Sequence, residues 1–262
     1  MSLIVFDAAR GRAMEANYLT PDMIAQRVRT LDLLAPRPGE AILDVGVGPG
    51  LLAYDLARLA GPKGRVVGVD VSADMVALAG NRLGELAQVE LAVADATRLP
   101  GPDGAFDAAV STQVYEYVAD MPAALAELYR VLKPGGRALI LDTDWRSIVW
   151  HSSDKARMER VLTAWDDHLA DPHLPATLGP LLARAGFTVR RVEIVPMLSP
   201  QWQPVGYAAN MMGQVHAFAR EHGARHGVSP AEADAWRDDQ LALAERGEFF
   251  FSLNRYIFLA TR

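Results

Sequence analysis

The segment Asp44-Val45-Gly46-Val47-Gly48-Pro49-Gly50 lies between the apolar run Ala41-Ile42-Leu43 and a helical pattern opening at Leu51. It constrains what this chain can fold into more than any other feature. The alternating glycines predict a tight strand-to-helix turn, because glycine takes φ > 0 readily and lets a ligand approach the backbone closely. A helix start behind the turn offers unpaired N–H groups. A dinucleotide fingerprint requires G-x-G-x-x-G. Here Gly46, Gly48 and Gly50 come in steps of two, and Leu51 fills the third-glycine slot. That spacing disfavours a nicotinamide oxidoreductase.

Two downstream strand ends match the turn. The run Val66-Val67-Gly68-Val69 ends in Asp70, and Val89-Glu90-Leu91-Ala92-Val93-Ala94 ends in Asp95-Ala96. A carboxylate at the first position can accept both hydroxyls of a ribose lying across the turn. One at the second can take an amino proton of a base while the following N–H donates to the ring. Each acid read alone is equally a solvated loop residue or a cap.

Together with Leu132-Lys133-Pro134-Gly135-Gly136-Arg137, these motifs resemble the class I S-adenosylmethionine-dependent methyltransferases, over Pro38 to about Trp145. The last motif is similar to the helix-to-strand turn of the ubiquinone and menaquinone C-methyltransferase branch. The resemblance implies a doubly wound, Rossmann-like α/β fold with a seven-stranded sheet whose last strand is antiparallel. It also implies S-adenosylmethionine as cofactor, with S-adenosylhomocysteine as product. In such proteins the loop of Gly46, Gly48 and Gly50 holds the methionine and ribose part, Asp44 orients the ammonium end, Asp70 takes the ribose and Asp95-Ala96 the adenine. Val71 and Met75, just after Asp70, join the cofactor-side candidates. The motifs identify the cofactor class and leave the acceptor open.

Composition narrows the partners. Half of the 262 residues are hydrophobic, enough for one elaborated domain rather than two independent ones. The net charge of −6 with scattered basic residues provides no footprint for nucleic acid. Met1 to Asp7 lack a basic start and a long apolar run, so neither a secretory signal nor a membrane segment is expected. A cytoplasmic protein, monomeric or homodimeric, acting on a small molecule is the expectation. The absence of cysteine removes disulfides and thiolate chemistry, and argues against an arsenite-methylating relative.

Strand and helix patterns alternate from Ala41 to about Asp142, predicting a parallel sheet flanked by helices. Beyond Trp145 longer helices are expected over 154–168, 178–185, 205–221 and 229–245, with strands at 188–195 and 249–259. The organisation expected is thus an N-terminal helical cap over 1–35, a cofactor-binding core over 36–145, and a helical lid with the last strands over 146–262. Cap and lid helices would close over the carboxyl ends of the strands and exclude water.

Methyl transfer is an in-line displacement, so alignment supplies much of the rate and a base is needed only where the acceptor must lose a proton early. After the fourth strand come Thr112 and Gln113, whose backbone groups suit the methionine moiety, and Tyr115, which either faces a sulfonium or covers the next helix together with Tyr117. Neither 112 nor 113 is an Asp, unlike the magnesium-dependent catechol-type relatives, so no metal is expected. Tyr18 either closes over the cofactor or anchors the cap, and Arg27 either pairs with the cofactor carboxylate or is an exposed helix residue. His151 and His216 are the candidate bases, each with a packing or surface alternative. His222 and His226 have zinc-compatible spacing but no evident third ligand. The apolar residues Trp202, Tyr207, Met211, Met212 and Phe218 suit a flat acceptor or an ordinary core. A non-methylating protein of the same fold, a cyclase or a sensor, is the alternative function.

Overall fold

The computed structural model describes residues 15 and 17–262. The expected cap over 1–35 is therefore described only in part, and the Met1 to Asp7 segment lies outside. Seven strands form one sheet: β1 (Ala41–Val45), β2 (Arg65–Asp70), β3 (Val89–Val93), β4 (Phe106–Thr112), β5 (Leu132–Trp150), β6 (Thr188–Ser199) and β7 (Phe251–Thr261). Their order is β3-β2-β1-β4-β5-β7-β6. Strands β1 to β5 pair in parallel, and β7 runs antiparallel to both neighbours, as the resemblance implies. The order reverses between β1 and β4. Ligands of open α/β sheets bind outside the carboxyl ends of the strands at that switch point.

Eight α-helices accompany the sheet among the described residues: α1 (Pro21–Leu34), α2 (Leu51–Ala60), α3 (Ala73–Leu83), α4 (Met121–Val131), α5 (Lys155–Asp166), α6 (Pro175–Arg184), α7 (Tyr207–His222) and α8 (Pro230–Glu245). Their starts follow from the caps. Ser72 accepts the Met75 N–H at 3.3 Å, Asp120 the Ala123 N–H at 3.1 Å, and Asp154 the Arg157 N–H at 2.9 Å. Ser229 and Glu232 close a reciprocal capping box before α8. Such caps contribute about 1 kcal/mol each.

The sheet buries an apolar layer on each face. Leu43, Val45, Ile140, Leu125 and Leu128 share one cluster, while Ile42, Val66, Leu52, Leu56 and Leu83 share the other. A third cluster lies under the lid helices, where Trp236 is fully buried and its indole N–H points at Met158 Sδ, 3.2 Å away. Each buried side chain of this size contributes about 1.5–3 kcal/mol.

Two differences from the sequence reading matter for the site. The alternating pattern reads only to about Asp142, yet β5 continues to Trp150, because Asp142, Thr143 and Asp144 pair with Tyr256, Arg255 and Asn254 of β7. Polar side chains made this stretch read as a loop, yet their backbone groups have a partner strand. The sixth strand likewise runs on to Ser199 against β7.

Candidate functional site

A cleft open to solvent lies above β1. Its floor is Asp44, Gly46, Val47, Gly48 and Pro49, with Leu51 and Leu52 from α2 and Thr112 from the end of β4. Its roof is Tyr18 with Met23, Gln26, Arg27 and Thr30 of α1.

The floor is a set backbone shape. Gly46, Gly48 and Gly50 all have positive φ, at +76°, +50° and +82°. The N–H groups of Gly46 and Val47 both donate to the Val69 carbonyl at 2.8 Å, folding the loop back over β2. A Cβ on Gly46 would sit 2.1 Å from Val114 Cγ2, whereas one on Gly48 would meet nothing within 4 Å. The first glycine is therefore required by packing and the second leaves space above the loop.

Two carboxylates flank that space. Asp70 Oδ2 accepts the Gly48 N–H at 3.0 Å and Oδ1 accepts the Ser72 N–H at 2.9 Å. Each oxygen keeps a free lone pair for a ligand hydroxyl. Burial raises its pKa, partly offset by those backbone donors. Asp44 is 2% exposed and its Oδ2 has no hydrogen-bond partner. Burial, and then the nearby Asp70 charge, push its carboxyl up to about 7. An unpartnered buried carboxylate at a cleft floor fits a cationic ligand, since a positive charge within reach offsets the desolvation of the anion. The glycine loop, Asp70 and Asp44 therefore fit S-adenosylmethionine, which carries a ribose, an ammonium and a sulfonium.

The remaining cofactor-side candidates are placed as follows. Tyr18, Arg27 and Thr112 line the cleft. Arg27 Nε donates to Asp55 Oδ2 of α2 at 2.9 Å and its Nη1 to the Tyr18 carbonyl at 3.3 Å, so it ties roof to floor. Gln113 takes a left-handed φ of +59°, a costly conformation for a residue with a Cβ, and donates its N–H to the Leu141 carbonyl at 2.7 Å. Met75 and Ala96 are buried, Val71 is exposed at the end of β2, and Asp95 accepts from the N–H and hydroxyl of Thr97 in a local turn. These four do not line the cleft.

The candidate catalytic residues do not converge on it either. Tyr115 is fully buried in the sheet core. His151 lies in a separate surface groove with Val149, Trp150 and Phe250. His216 Nε2 is 2.7 Å from Asp234 Oδ1, linking α7 to α8, and His226 pairs with Asp167. Tyr207, Met211, Met212 and Phe218 build the lid's own core, with Trp202 edge-on to Phe249 at 5.2 Å.

Sequence reasoning passed over a buried charged group beside the roof. Glu116 and Asp142 are fully buried and Arg255 is 1% exposed. Glu116 Oε2 accepts the Thr143 N–H at 3.1 Å and the Trp145 indole N–H at 3.2 Å, and Asp142 Oδ1 accepts the Val114 N–H at 3.0 Å. Burial raises both carboxyls, and the Glu116 charge raises Asp142 further. Arg255 Nη2 donates to Tyr207 Oη at 2.8 Å, while Nη1 donates to Gln26 Oε1 and faces Met23 Sδ at 2.9 Å. Asp142 carried a readable signal, as an acid directly after an apolar strand, like Asp44, Asp70 and Asp95. Glu116 sat between two tyrosines and Arg255 inside a strand pattern, with nothing local to mark them.

Among the described residues no group of three His, Asp or Glu side chains is placed to hold a metal ion. No described helix is long and apolar enough to cross a membrane.

Comparison with known proteins gives a match of residues 43–140 to a family described as a methyltransferase domain. The chain is 38% identical over 237 residues to an "uncharacterized 37.1 kDa protein" of transposon TN4556 from Streptomyces fradiae, covering 88% of this chain and 65% of that protein. It is 44% identical over 111 residues to 2-phytyl-1,4-naphtoquinone methyltransferase of Synechococcus elongatus, covering 41% of this chain and 48% of that protein. The chain thus spans between about half and two thirds of these curated relatives. Phosphoethanolamine N-methyltransferase 2 of Haemonchus contortus, solved with S-adenosyl-L-methionine, shares the fold with a TM-score of 0.59 and 22% identity, over 94% of this chain and 54% of that one.

Proposed function

With residues 43–140 matching a family described as a methyltransferase domain, we propose that this protein binds S-adenosylmethionine in the cleft above β1 and methylates a small molecule. One observation carries the reading: a buried Asp44 oxygen without a partner lies at the floor of the cleft made by the Gly46 to Gly50 loop, with Asp70 holding Gly48. Asp70 takes the ribose hydroxyls. Asp44, Thr112 and the loop N–H groups take the amino-acid end, and Tyr18 closes the roof. When bound, the cofactor supplies an electrophilic methyl group on a cationic sulfur.

The chain's own residues then align, screen and exclude. Asp44 and Asp70 lie at the ends of β1 and β2, and carboxylates there favour a cation over a neutral ligand. The α1 roof, held to α2 by Arg27 and Asp55, keeps water from the cleft. The acceptor is a small molecule with an oxygen, nitrogen or activated carbon nucleophile, and positioning it in line provides most of the rate. The likeness to the naphthoquinone enzyme covers only 41% of this chain, so the acceptor rests on the lid side.

The test is incubation with methyl-labelled S-adenosylmethionine and a panel of small-molecule acceptors. Label passing to an acceptor supports the reading. Tight cofactor binding with no transfer to any of them favours the non-methylating alternative.

A further inference from the structure

The roof of the cleft is shared with the lid. Tyr18 and Met23 both line the cleft. Met23 also belongs to the apolar cluster under the lid helices, which includes Tyr207 and Met211 of α7, and Tyr18 packs against that cluster. Apolar packing is non-directional and fixes no single place for the Tyr18 ring. A directional link stands one residue away. Asn210 Nδ2 of α7 donates to Asn17 Oδ1 at 3.1 Å, across 193 positions of the chain. Asn17 is 8% exposed, so its amide depends on such a partner for the bonds it would otherwise make to water. The main chain beside it is tied down as well. The Asn17 carbonyl accepts the Thr20 N–H at 3.1 Å and the Thr20 hydroxyl at 2.8 Å. The Tyr18 carbonyl accepts from Arg27 Nη1 at 3.3 Å, and Arg27 Nε donates to Asp55 of α2 at 2.9 Å. Tyr18 thus stands between an anchor on the cofactor-binding core and an anchor on the lid, while neither Asn17 nor Asn210 lines the cleft.

Resting on the cofactor reading above, we propose that Asn210 is a positioning residue for cofactor binding: acting through Asn17, it fixes the Tyr18 ring over the cleft from the lid side. The place of the bond favours this over a general stabilising role. His216 and Asp234 join two lid helices to each other, whereas Asn210 joins a lid helix to the residue beside Tyr18. A polar pair set against apolar contacts also selects one arrangement where the apolar contacts alone allow several. The exact place of the ring matters for its ligand. Burial pushes the Tyr18 hydroxyl up to about 12, so the ring stays neutral near pH 7. A neutral aromatic face attracts a cationic sulfonium only within about 6 Å of its centroid. Lid and cofactor cleft are therefore coupled through one amide pair. A change at Asn210, which touches no cofactor, alters cofactor affinity, and a ligand that settles the lid tightens the cofactor by the same factor.

The test is a set of double-mutant cycles on the full chain, read by calorimetric titration with S-adenosylmethionine in the absence of acceptor. Asn210→Ala should weaken the cofactor by about three- to tenfold, the size of one lost hydrogen bond. Asn17→Ala should give the same loss, and the two together no more than either alone, because they remove one shared bond. In a Tyr18→Ala background Asn210→Ala should change the affinity no further, since the ring through which it acts is gone. Asn210→Asp, which Asn17 can still meet by turning its amide over, should stay close to wild-type affinity. Melting temperatures are taken for every variant, because a merely structural Asn210 would shift melting and leave affinity alone. Equal affinity of Asn210→Ala and wild type, or the same loss with Tyr18 present and absent, would overturn the proposal while the cofactor reading stands. No binding of S-adenosylmethionine by the wild type would overturn that reading, and the proposal with it.

Discussion

The carboxylate at the end of β2 holds the glycine loop at the end of β1: Asp70 Oδ2 accepts the Gly48 N–H at 3.0 Å. The same side chain caps its own turn through the Ser72 N–H at 2.9 Å. One acid thus fixes the cleft floor and presents its remaining lone pairs to a ligand. Asp70→Ala is expected to weaken S-adenosylhomocysteine binding by about 1–3 kcal/mol, from the loss of charged hydrogen bonds to the ribose and slackening of the loop. Calorimetric titration of the two proteins reads the difference, and equal affinities would contradict the ribose role.

The loop glycines should not be equivalent. A methyl group on Gly46 would run into Val114 at 2.1 Å, while one on Gly48 enters open space, where only the left-handed backbone conformation costs about 1–2 kcal/mol. Gly46→Ala should therefore lower the melting temperature more than Gly48→Ala. Gly48→Ala should act chiefly on cofactor affinity, since its methyl points into space the ligand needs. Thermal melts with and without S-adenosylhomocysteine give both rankings. A reversed order of melting temperatures would refute the packing argument.

Asp44 makes the stability of the ligand-free protein pH-dependent. Its carboxyl is raised from 3.8 to about 7 by burial and by Asp70, so the folded state holds a proton that the unfolded chain has lost. The contribution is complete below about pH 4 and disappears as the pH rises through about 7. Asp44→Asn, which cannot ionise, should be more stable than wild type at pH 8 by up to about 4 kcal/mol, at about 1.36 kcal/mol per pKa unit, and nearly equal to it at about pH 4. Denaturant titrations at the two pH values check the sign. A stability difference independent of pH would show that Asp44 ionises as it does in water. The same variant should bind the cofactor more weakly, because the anion facing the ammonium is gone.

His216 offers a test of what is not chemistry. It joins α7 to α8 through Asp234, whose carboxyl is lowered to about 2 by Arg220 and His216. His216→Ala should lower the melting temperature and leave methyl transfer to any identified acceptor within about twofold, the usual limit for a site removed from the reacting groups. A large loss of turnover with an unchanged melting temperature would restore it as a base.

The core was legible in the sequence where a backbone requirement forces a residue type. Gly46, Gly48 and Gly50 announce a tight turn by their spacing, while the place of Asp44 at its floor came only with the family resemblance. Lid helices were expected over 154–168 and 229–245, and in the structure Asp154 and Ser229 cap them. What stayed hidden depends on partners distant in sequence. The extension of β5 through Asp142 to Asp144 exists because β7 lies alongside it, and Arg255 is buried because α1 and Tyr207 cover it. His151 and His216 do not line the cleft, for the complementary reason: titration near neutral pH is a property of the residue, while reach into the cleft is a property of the fold.

The most direct measurement is an equilibrium titration of the full chain with S-adenosylhomocysteine, repeated with NADH as competitor. Saturable binding at one site per chain, weakened by Asp70→Ala and untouched by NADH, is the predicted result. No binding of S-adenosylhomocysteine, or its displacement by NADH, would contradict the assignment of the cleft above the Gly46 to Gly50 loop.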